Sequence, residues 1–531
     1  MISAILAISL VAAVSAMPLD DYVWAPDSNY GWVDLGESYL LKGCSYMDPN
    51  QCWTGYTLNM TSQRWLSDAD FSADSESGSI WWHMLVVIVP DNVRFTRNAS
   101  IWITGWDMNG VPKAEDEDIV LAAALAMGTG TITGALFQIP NEHTTFSSDP
   151  IQKSRTEDAI IAFTWDHFIK DTSRPEWLVR FPMVKASVRA MDAITEFVAM
   201  KFPQYQLDYY VVAGASKRGW TTWLVGAVDP ERVVGIVPIV LDAINFVAVE
   251  HHQWMSYNGW SWALQDYLDM DIMTRLDTPE MLELQRQEDP YFFKERLTMP
   301  KLVVNAFLDE FQQPDDTRYW WNEMPEPKHF IMTPNAEHSE MTGIFEVVPA
   351  IGTWIGYLLN RWTIPTFTWT ISETTGEITA VLDGQGTVAS AHVYWGYSCG
   401  NNAEDRTKRR DFRILNVDVP CKCGIGGAVV GYCANLNSFE NNTELTATVE
   451  DGKRVYRAKV DAPSDGRYVA FFIDVKYLEH GVTNAVAAPE SHGIIPTDKP
   501  GQLEFTTEVS VWPNTFPYPD CYGATCTNKI V

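Results

Sequence analysis

Between residues 79 and 362 the chain alternates short apolar runs with longer segments whose apolar residues recur at helical spacing. The short runs are Trp81–Val89, Ser100–Thr104, Thr131–Ile139, Tyr209–Ala213, Arg232–Leu241, Lys301–Leu308 and His329–Thr333. Such runs suit strands buried on both faces. Glu115–Met127 starts with acids and continues VLAAALAM, which predicts a helix with its charges at the N-terminal end, closed by Gly128-Thr129-Gly130. Leu178–Phe202 reads as a long amphipathic helix stopped by Pro203, and 341–362 as a final helix. Strands alternating with helices imply a mostly parallel sheet covered on both faces. The alternation breaks between Asp242 and Pro300, where His251, His252, Trp254, Trp260 and Trp262 precede an acidic helical stretch at Thr278–Gln287. An insertion there is expected to cap the carboxyl ends of the strands, where open α/β sheets bind ligands.

Beyond Pro365 the pattern becomes all-β. FTWTIS, GEITAVL, SAHVYWGYS, KRVYRAKV, RYVAFFIDV and LEFTTEVSV alternate or run apolar between turn residues, which predicts a β-sandwich-like domain over 366–531. Residues 17–78, rich in Asp, Ser, Tyr and Trp with little period, are expected to be an irregular segment stapled by Cys44–Cys52. A chain of 531 residues exceeds one ordinary core, in keeping with this division.

Composition sharpens the setting. With 38 Lys and Arg against 68 Asp and Glu the formal net charge is −30, which argues against nucleic acid or an anionic membrane surface as partner. The opening MISAILAISLVAAVSA reads as a secretory signal of residues 1–16, and no later run approaches the roughly 20 apolar residues of a membrane span, so a secreted, extracellular product is expected. Eight cysteines fit four disulfides in that compartment: Cys44–Cys52 and Cys521–Cys526 locally, with three connectivities open to Cys399, Cys421, Cys423 and Cys433. A metal site at Cys421-Lys422-Cys423 with Cys433 is the rival; no histidine or acidic cluster of suitable spacing accompanies it, so neither metal nor cofactor is expected. Asn59, Asn98 and Asn441 lie in glycosylation sequons.

The candidate chemistry starts at LDYYVVAGASKRGWTTW, a strand ending in Gly214-Ala215-Ser216 and turning at once into a helix. This reads as a nucleophile elbow, with the second small residue, Gly219, one place later than in G-x-S-x-G. A serine nucleophile needs a base and a group to orient the base, which α/β hydrolases supply in the order Ser, acid, His, each after a strand. KLVVNAFL leads into Asp309-Glu310 and HFIMT into Pro334-Asn-Ala-Glu-His338, 93 and then 29 residues on. Asp309 is preferred to Glu310 because it leaves the strand first, with Asp315 and Asp316 as fallbacks. His338 is preferred to His329, which opens a strand, and to His251 and His252, which precede the acid. The Lys217 N–H, at the helix start, and Gly105-Trp106, after an earlier strand, are the expected oxyanion donors.

Residues 79–362, with GASKRGWTTW, NAFLDEF and TPNAEHS, resemble the PhoPQ-activated pathogenicity-related family, and the resemblance extends over most of the chain. It implies an α/β-hydrolase fold related to prolyl oligopeptidases and dipeptidyl peptidases, a triad on Ser216, Asp309 and His338, and a role as a secreted signal restraining proliferation. Those peptidases usually carry an N-terminal propeller and paired glutamates; no propeller-like repeat occurs here. Three functions follow: a secreted serine hydrolase, peptidase or esterase, acting on a small ester or peptide; a signalling protein whose hydrolase domain meets a cell-surface receptor or secreted partner; and carbohydrate binding by the C-terminal sandwich.

Overall fold

The computed structural model describes residues 17–45, 49–106, 110–399, 408–417, 425–429, 432–435, 438, 441–478 and 503–531. The expected signal, residues 1–16, lies outside them, as do Cys421 and Cys423. Ten strands make the central sheet: β1 (Gly31–Asp34), β2 (Leu41–Cys44), β3 (Cys52–Arg64), β4 (Ile80–Pro90), β5 (Asn98–Ile103), β6 (Ile132–Leu136), β7 (Tyr209–Ala215), β8 (Val233–Ile239), β9 (Lys301–Ala306) and β10 (Lys328–Thr333). Their spatial order is β1-β3-β4-β6-β5-β7-β8-β9-β10, with β2 on β3. From β6 through β10 every neighbour is parallel, while β1 to β4 join antiparallel.

Pleating sends alternate side chains to opposite faces, and each face meets its own helices. Helices are α1 (Pro18–Trp24), α2 (Glu117–Thr129), α3 (Glu157–Lys170), α4 (Arg180–Lys201), α5 (Lys217–Val228), α6 (Phe246–Tyr257), α7 (Gln265–Asp269), α8 (Pro279–Glu288) and α9 (Ile344–Asn360). On β4, Leu85 and Val87 join the core that holds Val184 and Val188 of α4, whereas Met84, Val86 and Ile88 join the one that holds Ile119 and Ala122 of α2. Helix α9 packs beside α2, and α5 beside α4. Helices α6 to α8 fall between β8 and β9, within the stretch expected as a cap.

The N-terminal segment departs from the expectation of irregularity. Residues 31–64 supply three strands to the central sheet, with β3 the longest of all. The inward positions of β3 include Gly55 and Thr57 beside Trp53 and Met60, so alternation in burial is not alternation in hydrophobicity. Helix α3 is likewise absent from the predicted elements; ten of its fourteen residues are buried, which erases a polar face.

The C-terminal region holds antiparallel sheets. One pairs Phe367–Ile371, Ile378–Leu382, Lys453–Ala458 and Thr448–Glu450; another is built on Val388–Tyr397 and Val469–Tyr477. Its core is continuous with the rest: Phe471, Ile473 and Val475 cluster with Trp354 and Ile355 of α9, and Phe472 meets Phe307 after β9. Segment 520–531 runs back to the cap, where Trp260 donates from Nε1 to the Thr527 carbonyl and from N to that of Lys529, and accepts from the Val531 N–H. Cys44–Cys52 and Cys521–Cys526 are bonded as expected, and Cys399 and Cys433 are each in a disulfide.

Candidate active site

Strand β5 connects outward to β6, and β7 returns on its other side, so the chain reverses direction between β5 and β7. A crevice opens at the carboxyl ends of strands at such a point. The register places Gly214 between Ile103 of β5 and Pro238 of β8, and Ser216 follows at that edge. Ser216 has φ 57° and ψ −126°, a conformation that costs a non-glycine residue of order 1–3 kcal/mol. Its N–H is held by the Ile239 carbonyl at 2.8 Å, and its own carbonyl accepts the first helical bond of α5 from Trp220 at 3.0 Å.

Close packing explains both glycines of the elbow. A Cβ on Gly214 would lie 2.8 Å from the Arg218 carbonyl oxygen, and one on Gly219 would lie 2.7 Å from that of Ile239. The displaced glycine is therefore set by the approach of α5 to the end of β8. The intervening Arg218 points elsewhere: its guanidinium covers Gly105, donates to the Ile139 carbonyl at 2.5 Å and pairs with Glu157.

Around the serine, His338 Nε2 lies 2.8 Å from Ser216 Oγ, and His338 Nδ1 lies 2.7 Å from Asp309 Oδ2. Asp309 is fixed by the N–H groups of Phe311 and Gln312, donating to Oδ1 at 2.6 and 3.2 Å. Burial works against a charged His338, but the neighbouring Asp309 carboxylate and its hydrogen bond outweigh it and raise the imidazole pKa above 6.5. Glu310 turns the other way, accepting from the His338 N–H at 3.2 Å; burial and then the Asp309 charge push its carboxyl to about 7.

The remaining candidates have other partners. Asp316 accepts from His252 at 2.6 Å and Asp315 pairs with Arg410 at 2.5 Å; His251 sits between Asp277 and Asp520, and His329 packs against Phe505. Lys217 begins α5, and its ammonium is buried between Glu157 (2.8 Å) and Asp158 (2.9 Å) of α3. Gly105 is buried beneath Arg218; Trp106 is partly exposed on Phe137 with φ 92°. Asn59 and Asn98 lie half-buried in β3 and β5, and Asn441 is exposed.

Two cavities reach the Ser216–His338 pair. One, about 400 Å³ and partly open to solvent, is walled by Thr104, Leu121, Val240 and Ile351. The other, about 60 Å³ and also partly open, runs beneath α6 and α7. Sequence reasoning missed Glu157, Asp158 and Arg180, the charged groups that hold the elbow from α3 and α4. Only the tertiary fold brings them to it.

An order with β6 beside β5, and a strand–serine–helix elbow where the chain reverses, define an α/β-hydrolase-fold protein. More narrowly, the chain belongs to the PhoPQ-activated pathogenicity-related protein family, whose pattern matches residues 19–413. A relative, autocrine proliferation repressor protein A of Dictyostelium discoideum, is 34% identical over 526 residues, spanning 97% of this chain and 94% of that one. Among solved structures, acetyl xylan esterase 1 of Thermoanaerobacterium sp. is 14% identical at TM-score 0.41, over 65% of this chain and 92% of that one. An S-formylglutathione hydrolase from Agrobacterium tumefaciens is 12% identical at TM-score 0.36, over 59% and 96%. At these scores neither says anything of substrate.

Proposed function

We propose that the protein is a secreted serine hydrolase that acts as an extracellular signal restraining proliferation. The observation that carries the chemistry is the Ser216–His338–Asp309 chain of hydrogen bonds, 2.8 and 2.7 Å long, on a strained elbow. Ser216 Oγ attacks an ester or amide carbonyl while His338 Nε2 takes its proton. Asp309 holds Nδ1–H and stabilises the imidazolium. The Lys217 N–H, with a second from Gly105 or Trp106, receives the oxyanion. His338 then protonates the leaving group, and water hydrolyses the acyl-enzyme by the same route reversed. The signalling half rests on kinship over nearly the whole chain with a relative named as an autocrine proliferation repressor. Secretion rests on the leader at 1–16 and the disulfides. A cell-surface receptor or secreted partner and glycans on Asn59, Asn98 and Asn441 belong to the same reading.

A fluorophosphonate probe tests it. The wild type is expected to label and Ser216→Ala to be blank, with kcat on an activated ester falling by about 10⁴-fold or more. An unlabelled wild type sinks the hydrolase. A second reading, a processing peptidase or esterase without signalling, gains from two cavities converging on one serine, as a bond-cleaving site requires. Growth of responsive cells treated with each protein separates the two: arrest by the wild type and not by Ser216→Ala joins signal to hydrolysis, and no arrest by either leaves the enzyme alone.

A further inference from the structure

The cavity beneath the cap is lined by a carboxyl group that has no hydrogen-bond partner among the described residues. Glu250, on α6, is only 9% exposed, and its Oε2 is buried with no hydrogen-bond partner among the described residues. The other ionisable groups around it are engaged. Asp158 of α3 pairs with Lys217 of α5 and accepts from Tyr267 of α7 at 3.0 Å. Arg180 of α4 pairs with Glu288 of α8 at 3.1 Å. His338 is committed to Ser216 and Asp309. Asp316, which also feels the Glu250 charge, accepts from His252 and from the Gln313 N–H. Leaving a carboxyl unpaired in a largely apolar pocket is costly, and a ligand that supplied the missing partner would offset that cost.

The surroundings say which ligand. Trp165 stacks on Phe246 with ring centres 5.1 Å apart and meets Tyr267 at 5.2 Å, so aromatic rings wall the cavity that Glu250 also lines. Aromatic faces with one carboxylate form a cage for an organic cation. Within the same cavity Trp220 already carries a cation on its face, the Arg180 guanidinium at 3.8 Å. We propose that this cavity binds an ammonium group borne on an apolar arm of the substrate, with Glu250 as its counter-ion. The inference rests on the hydrolase reading above for its name as a substrate subsite. Burial alone pushes the Glu250 carboxyl to about 8, so the carboxyl is largely protonated at neutral pH. An entering ammonium displaces that proton.

Calorimetry of the full chain with hexylammonium and with 1-hexanol tests the site without turnover. Hexylammonium is expected to bind the wild type at least tenfold more tightly than hexanol. Glu250→Gln should erase that margin while leaving hexanol binding unchanged. With the wild type alone, titrations at pH 7 in two buffers of different ionisation enthalpy should show about one proton released per hexylammonium. Equal binding of the two probes, or a margin that survives in Glu250→Gln, overturns the proposal, as does the absence of proton release. Fluorophosphonate labelling reads the nucleophile separately. Hexylammonium binding with no labelling keeps the cation site and sinks the hydrolase; labelling without selective binding does the reverse.

Discussion

At the scale of single residues, the protonation of His338 is set by one neighbouring charge. Asp309 raises the His338 pKa above 6.5 despite burial, and a base must be neutral to accept a proton. Activity on an activated ester should therefore rise with pH along a limb centred above 6.5. Asp309→Asn should lower kcat by about 10⁴-fold and move that limb to lower pH, which a pH–rate profile of both proteins checks. The same shift has a stability consequence of known sign. A histidine whose folded pKa exceeds its unfolded value contributes stability that is full below 6.5 and lost as pH rises through the folded value. Ser216, Asp309 and His338 were legible in the chain because each leaves its own strand, and strand and loop are local patterns. Glu250 was not. Its significance lies in the partner it lacks, and a lack of partners is visible only after every neighbour has been placed.

At the scale of elements, the elbow is a strand and a helix brought unusually close. Gly219→Ala inserts a methyl 2.7 Å from the Ile239 carbonyl oxygen, backbone that has little room to yield. It should cost about 1–3 kcal/mol, read as a lowered Tm, and should weaken fluorophosphonate labelling through displacement of Ser216. Gly352, midway along α9, faces open space: a methyl added there would meet no atom within 4 Å. Gly352→Ala should instead stabilise the fold by about 0.4–1 kcal/mol, read as a raised Tm. The parallel strands announced themselves because burial on both faces leaves them continuously apolar. β3 hid because its inward side includes glycine and threonine, and α3 because its burial extends nearly all round.

At the scale of the whole molecule, cap, sheet and C-terminal strands share cores instead of meeting across a linker. The change from helical to two-residue period near Pro365 marks a change of architecture, not a boundary between independent cores. The cap is further held by segment 527–531, through the bonds that clasp Trp260. Removing residues 527–531 should leave the central sheet folded but expose the stretch around 258–264 to limited proteolysis, with weaker labelling of Ser216 as the cavity loses its roof.

That clasp also imposes a timetable. Trp260 and Thr527 lie 267 residues apart in the chain. At synthesis rates of about 5–20 residues per second, the cap waits roughly 15–50 s on the ribosome for the segment that fastens it. The serine, its histidine and its acid are all made well before then. A nascent chain therefore carries Ser216, Asp309 and His338 before the roof above them is seated, and the cap is fastened only once residues 527–531 have been made.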